Sequence, residues 1–224
     1  MIDKTVASLA QALHDVADGA TVLVGGFGGA GQPVELLDAL VEQGAKDLTI
    51  VANNAGNGET GLAGLLKAGR VRKLICSFPR AADGQVFEAL YKAGKVELEL
   101  VPQGNLAERI RAAGAGIGGF FTPTGYGTDL ARGKETRRID GRDYVLEYPI
   151  RADLALIRAD RADRWGNLTF RKAARNFNPV MAMAAKCTIA QARELVPLGQ
   201  LDPETIVTPG IFVNRVVHVP SRAH

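Results

Sequence analysis

The chain has 224 residues, 46% of them hydrophobic, and carries 27 Lys plus Arg against 24 Asp plus Glu, a formal net charge of +3. That composition excludes a disordered or fibrous polymer, and basic residues spread along the chain argue against nucleic acid as a partner. Two cysteines and three histidines, with no CxxC motif, exclude a disulfide scaffold and suggest no metal site.

A helix is expected first, over Thr5–Val16. Asp3, His14 and Asp15 interrupt any apolar leader, and no apolar run approaches the ~18–20 residues that a membrane span needs. The expected location is therefore the cytoplasm. Next comes an apolar strand, Thr21–Val24, that runs into five glycines in seven residues, Gly25 to Gly31. Pro33 then opens an amphipathic helix, Val34–Val41. A turn needs one or two glycines, so five suggest close approach of backbone N–H groups to an anion or oxyanion. Gly26-x-Gly28-x-x-Gly31 fits the dinucleotide fingerprint only formally. The next strand, Leu48–Val51, ends in Ala52-Asn53-Asn54-Ala55-Gly56 and lacks the acid that would hold a ribose. A P-loop lysine is missing too.

Strands and helices go on alternating. Strands are expected at Arg72–Cys76 and Val96–Val101, and helices at Gly61–Lys67, Ala82–Ala93 and Asn105–Ala112. This order predicts an α/β fold: an open, mostly parallel sheet with helices on both faces, in a single domain over residues 1–224. Right-handed crossovers place every strand's carboxyl end on one edge. That edge gathers the glycine loop, Asn53-Asn54, Ser77-Phe78-Pro79-Arg80 and Pro102-Gln103-Gly104, where ligands of open α/β sheets bind.

The second half changes character. Glu135–Tyr148 reads as a hairpin about Asp140-Gly141, a type I′ pair. Asp153–Arg158 and Leu168–Phe170 read as a strand pair around Asp163-Arg-Trp-Gly-Asn167. Lys172–Ala185 reads as a helix that Pro179 should kink or restart. Cys187–Ala190 and Arg215–Val219 are short final strands, and the tail Pro220–His224 should fray. Phe121–Thr128 is too turn-rich for a core strand and reads as a loop.

Nucleophile constellations are scarce. The histidines, at 14, 218 and 224, lie away from the site loops, and Ser8, Ser77 and Ser221 sit in no nucleophile elbow. The acids in or beside the site loops are Glu59 and Glu108; Glu59 is the runner-up nucleophile, and its position suits a helix start better. Gln103 is the side chain best suited to donate to a reacting carboxylate or oxyanion. Arg80 or Arg109 would suit a distal carboxylate.

Asp18-Gly19, Val22–Val24, Gly25-Gly26-Phe27, Gly31 and Pro33 resemble the signature of the family I CoA-transferases. Asn53–Gly56, Pro102–Ile110, Phe121–Thr128, Asp163–Asn167 and Ile206–Phe212 resemble further segments of that family, in the same order. The resemblance implies a NagB/RpiA-like fold and an A (α) subunit that works only with a B (β) subunit, in an A2B2 assembly. It implies that the nucleophilic glutamate lies on the B subunit, in a Glu-Asn-Gly type of motif absent from this chain. No tightly bound cofactor is implied, since the CoA thioester is a substrate. Succinyl-CoA and a 3-oxo acid are the implied reactants, with 3-oxoadipate first and acetoacetate the alternative. Gln103 would support catalysis. Gly25, Gly26, Phe27, Gly28, Gly29, Ala30, Gly31, Asn53, Asn54, Gly104, Thr124 and Gly125 would bind substrate or CoA. A reading from another class is a non-catalytic CoA- or nucleotide-binding module.

Overall fold

The computed structural model describes residues 2–80 and 84–220. Among the described residues, twelve strands and six α-helices alternate through most of the chain. The strands are β1 Thr5–Val6, β2 Thr21–Val24, β3 Leu48–Asn54, β4 Val71–Phe78, β5 Glu97–Leu100, β6 Phe120–Thr122, β7 Thr136–Ile139, β8 Arg142–Glu147, β9 Ala152–Ala162, β10 Leu168–Thr169, β11 Ala185–Leu195 and β12 Arg215–His218. The helices are α1 Leu9–Leu13, α2 Val34–Gln43, α3 Gly61–Lys67, α4 Gln85–Lys92, α5 Gln103–Gly114 and α6 Asn178–Ala182.

The main sheet runs β1-β12-β11-β9-β2-β3-β4-β5, with every one of those pairings parallel; β10 folds back antiparallel on β9. Alternation along each strand sends side chains to two cores. Val22 and Val24 join Leu36, Leu40, Leu65 and Phe87 beneath α1–α4. Leu23, between them in sequence, joins Leu106, Ile110 and Met181 beneath α5 and α6. Both faces are covered, so the central strands are apolar throughout, as parallel strands require. A separate three-stranded antiparallel sheet, β6-β8-β7, packs beyond α5.

Three expectations are corrected. The helix expected over Thr5–Val16 is instead β1 followed by the short α1. Thr5 and Val6 pair with Val216 and Val217, and Ser8 caps α1 by accepting from the Gln11 N–H. The helix expected over Lys172–Ala185 breaks into a 3-10 turn, Lys172–Arg175, and α6, with Pro179 in the first turn of α6, where proline is tolerated. The loop expected over Phe121–Thr128 begins as β6, and Arg137 of β7 stacks its guanidinium 4.5 Å over the Phe121 ring. The hairpin about Asp140-Gly141 forms as expected, with φ of 48° and 79° at its two turn residues. The expected start of the fourth helix, Ala82, lies outside the described residues, as do Ser221–His224 of the tail.

Candidate active site

The parallel register assembles the site. Ala52 pairs with Cys76, Asn54 pairs with Phe78, and Val24 pairs with Ala52. Gly25, Asn53 and Ser77 therefore lie at one level on the carboxyl edge of the sheet. Val101, whose N–H bonds to the Cys76 carbonyl, brings Gln103 in beside them. Asn53 is 4% exposed, and its Oδ1 accepts from both Gln103 Nε2 at 2.7 Å and Ser77 Oγ at 2.9 Å. Two donors on one oxygen fix which way both amides point, and leave the second Gln103 N–H to be used elsewhere. Gln103 is the first residue of α5, so the positive end of the helix dipole backs this donor.

The amide pair opens on a cavity of about 540 Å³ lined by Phe27, Gly28, Asn53, Asn54, Asn57, Ser77, Phe78, Arg80 and Gln103. A second cavity of about 550 Å³ adjoins it, sharing Phe27 and Gln103 and lined also by Gly104, Arg111, Arg175 and Phe177. Phe27 and Phe78 are 50% and 60% exposed, large apolar surfaces left on the rim. Among the described residues neither lining contains an Asp, a Glu or a His, and Arg80, Arg111 and Arg175 are their charged groups.

The glycine loop departs from its expected role as a row of free donors. Phe27 and Ala30 exchange both of their backbone hydrogen bonds, at 3.0 and 3.1 Å, and close a two-residue hairpin over Gly28-Gly29. The Gly25 N–H is also spent, on the Leu156 carbonyl. Gly25 and Gly31 are glycines because of Asn178, which is fully buried. A Cβ at Gly25 would overlap the Asn178 amide oxygen, and one at Gly31 would sit 2.8 Å from Asn178 Nδ2. That side chain accepts from the Arg158 N–H at 3.0 Å and donates to the carbonyls of Gly31 at 3.1 Å and Ala174 at 2.8 Å. The loop is thus stapled from below, with Phe27 and Gly28 presented to the cleft. Gly29 and Ala30 form its exposed tip, and Gly26 is buried.

Other expected residues fall elsewhere. Asn54 lines the cavity, but its Oδ1 is engaged by the Gly56 N–H at 3.0 Å. Thr124 and Gly125 line neither cavity; Thr124 hands its carbonyl to Asn105 of α5 at 3.2 Å. Glu59 is turned to solvent and pairs with Lys67 at 3.1 Å, a helix-start acid and not a cleft nucleophile. Arg109 is spent on a chain of charges in which Glu147 is the buried member. It binds Glu99 at 2.9 Å and the Tyr148 carbonyl at 2.8 Å, and lies 3.8 Å from Glu147. Lys73 holds the far side of Glu99 at 2.6 Å, and Lys134 holds Glu147 at 2.7 Å. Burial works against the Glu99 carboxylate, yet Lys73 and Arg109 outweigh it and lower its pKa. This chain of charges ties α5, and so Gln103, to β4, β5 and the small sheet.

Sequence reasoning placed Ser77 and Phe78 on the edge without assigning them a role; the signal was their position right after a parallel strand. Cys76, one residue earlier, faces the core, and burial pushes its thiol up to about 12. The Asp163-Arg-Trp-Gly-Asn167 segment is a self-bonded turn. Asp163 accepts from the Trp165 and Asn167 N–H groups at 2.9 and 3.1 Å, and Asn167 accepts from the Gly210 N–H at 2.9 Å.

A parallel α/β edge that ends in an amide-lined cleft is what the known proteins similar to this chain should explain. The chain belongs to the CoA-transferase family: the Coenzyme A transferase family description matches residues 6–219. Within that family it is of the A type. It is 67% identical to the A subunit of 3-oxoadipate CoA-transferase from Pseudomonas putida, over all of this chain and 96% of that one. It is 50% identical to the A subunit of a probable succinyl-CoA:3-ketoacid coenzyme A transferase from Bacillus subtilis, covering 96% of this chain and 89% of the other. An acyl-CoA transferase of Escherichia coli O157:H7 shares the fold at a TM-score of 0.84 and 23% identity. The match covers 99% of this chain but spans only 48% of the E. coli chain.

Proposed function

We propose that this chain is the A half of a two-chain transferase that moves CoA from succinyl-CoA to 3-oxoadipate. The observation that carries this reading is the cleft of fixed amides whose described lining contains no carboxylate. Such a site can bind and polarise an acyl group, and its described lining offers no carboxylate nucleophile. A glutamate from the B subunit, acting as nucleophile, attacks the thioester carbonyl, expelling CoA thiolate and leaving an acyl–glutamyl anhydride. The thiolate then attacks the glutamyl carbonyl, giving a glutamyl thioester and free succinate. The 3-oxo acid reverses both steps and leaves as its CoA thioester.

In each step charge builds on a carbonyl oxygen. The second Gln103 N–H is the donor for that oxygen, a contribution of ~3–4 kcal/mol to the barrier when such a donor is held in place. Asn53 and Ser77 keep it aimed. Phe27 and Phe78 wall the cleft and meet the B subunit, which shields the anhydride from water. Arg80 faces the distal carboxylate of the acceptor. The CoA thioester enters as substrate, and the assembly is A2B2, in the cytoplasm, where both thiols stay reduced.

The test is to purify A and B chains separately and mix them. The expected result is no transfer from A alone, transfer from the mixture, and 3-oxoadipate preferred in a panel of 3-oxo acids. Transfer by A alone, abolished by Glu59→Gln, would overturn the reading. A preference for acetoacetate would reassign the acceptor and keep the mechanism.

A further inference from the structure

The amide pair of the cleft holds one donor that the transfer steps leave free. Asn53 gives its Oδ1 to Gln103 at 2.7 Å and to Ser77 at 2.9 Å. Its Nδ2 has no hydrogen-bond partner among the described residues, and the side chain, although buried, lines the amide cavity. Ordinary bond lengths put Nδ2 about 2.3 Å from Oδ1 within one amide. Gln103 Nε2 lies 2.7 Å from that same Oδ1, so the two NH2 groups stand no more than about 5 Å apart. Both are neutral, and the bond between them fixes their spacing. Asn54 lines the same cavity, but its side chain leaves β3 on the opposite face, and its Oδ1 is taken by the Gly56 N–H.

We propose that Asn53 Nδ2 donates to the 3-oxo oxygen of the acceptor and so decides which of its two carboxylates receives CoA. In an extended carbon chain, groups on carbons 1 and 3 project to the same side, and groups on carbons 1 and 4 to opposite sides. Carbonyl oxygens on carbons 1 and 3 then stand roughly 3–4 Å apart. Two donors on one wall at the Gln103–Asn53 spacing therefore meet a carboxyl group and a ketone two carbons along from it. 3-Oxoadipate offers that spacing from one carboxylate only; from the other, its ketone is a carbon further away and faces the other side. With the first carboxylate at Gln103 and the ketone at Asn53, the far carboxylate runs on toward Arg80 in the same cavity. An acid without the ketone leaves the Asn53 donor unpaired, which is how a polar site rejects an analogue. Succinate has no ketone to offer, so the contact acts on the acceptor alone. The inference rests on the proposed transferase reading and names the group that its acceptor site reads.

Two measurements on the assembled A–B complex test this. The first is equilibrium binding of 3-oxoadipate, 2-oxoadipate and adipate to the wild-type complex, which needs neither a variant nor turnover. 3-Oxoadipate should bind about 3–10-fold more tightly than the other two, the size of one net hydrogen bond. Equal affinities overturn the proposal. The second is Asn53→Asp, which keeps Oδ1 for Gln103 and Ser77 and replaces the Nδ2 donor with an acceptor. Its added charge disfavours every diacid alike, so the ratio between them is the readout. The preference for 3-oxoadipate should fall to about one, with the donor gone. CoA should then appear on either carboxyl group, where the wild type places it only on the one beside the ketone. The enolate absorbance that a 3-oxo thioester gives, and its isomer does not, tells the two products apart. A variant that keeps both the preference and the single product overturns the role of Asn53 and leaves the transferase reading intact. If the wild-type complex moves CoA to no acid, the transferase reading fails, and the order of binding in wild type and Asn53→Asp alone decides whether Asn53 reads the ketone.

Discussion

The two flanks of the glycine hairpin are built on the same sheet edge but on opposite electrostatic plans. Beside β3–β5 the edge offers amides, a hydroxyl and one arginine; beside β9 and β11 it offers four cations and one acid. Neutral donors suit charge that appears only during reaction, because they do not grip the ground state. Fixed cations suit a ligand that is charged from the start. One loop thus separates a flank of amides from a flank of cations, and Asn178 holds that loop in place.

The sharpest way to break this division is Gln103→Ala in the A–B complex. Turnover should fall about 10²–10³-fold, the effect of removing an oxyanion donor. The unfolding midpoint should stay in place, and normal turnover would dissolve the chemical flank. Second is Gly31→Ala, which puts a Cβ 2.8 Å from the Ala174 carbonyl oxygen at a φ of 72°. Urea unfolding should show a loss of about 2–3 kcal/mol. Gly29→Ala, with nothing within 4 Å, should cost under about 1 kcal/mol, so equal losses would remove Asn178 as the staple. Third, Ser77→Ala should lower kcat about 3–10-fold with KM little changed, as one net hydrogen bond is worth ~1 kcal/mol. Ser77→Thr should restore it. The smallest effect concerns Cys76. Its folded pKa of about 12 lies above the ordinary 9.0, so its neutral form contributes stability that is complete below 9.0 and lost as pH rises toward 12. Iodoacetamide at about pH 8.5, below both values, should therefore leave this thiol unlabelled in the folded chain.

Much of the fold is legible in local patterns. The runs Thr21–Val24 and Leu48–Val51 are continuous apolar stretches followed by turn residues, so strands and a shared carboxyl edge follow directly. Thr5-Val6 is not legible in this way. Its partner strand lies more than two hundred residues on, at Val216–Val217, and an Ala- and Leu-containing stretch next to it imitates a longer helix. Lys172–Ala185 is legible in part: Pro179 signals the restart that α6 makes, but Ala185 already pairs with the distant Ala152 in the sheet. At the site, Gln103, Asn53 and Phe27 can be read from their places after strands. The division of labour among the five glycines cannot, because Asn178 sits some 147 residues from the glycine it holds. Gly25, Gly26 and Gly31 answer to packing or turn geometry first, whereas Gly28 lines the amide cavity beside Phe27.

The run of charges from Lys73 through Glu99, Arg109 and Glu147 to Lys134 has a consequence for anyone recombining such chains. The small antiparallel sheet looks like a detachable ornament, yet its Glu147 is one anchor of the helix that begins at Gln103. A chimera that imports this hairpin without Asn105 and Arg109 from the same parent would take two partners from a buried acid and let the helix drift. The exchangeable module is the hairpin plus that helix, and grafts cut at this wider boundary are the ones that should stay active.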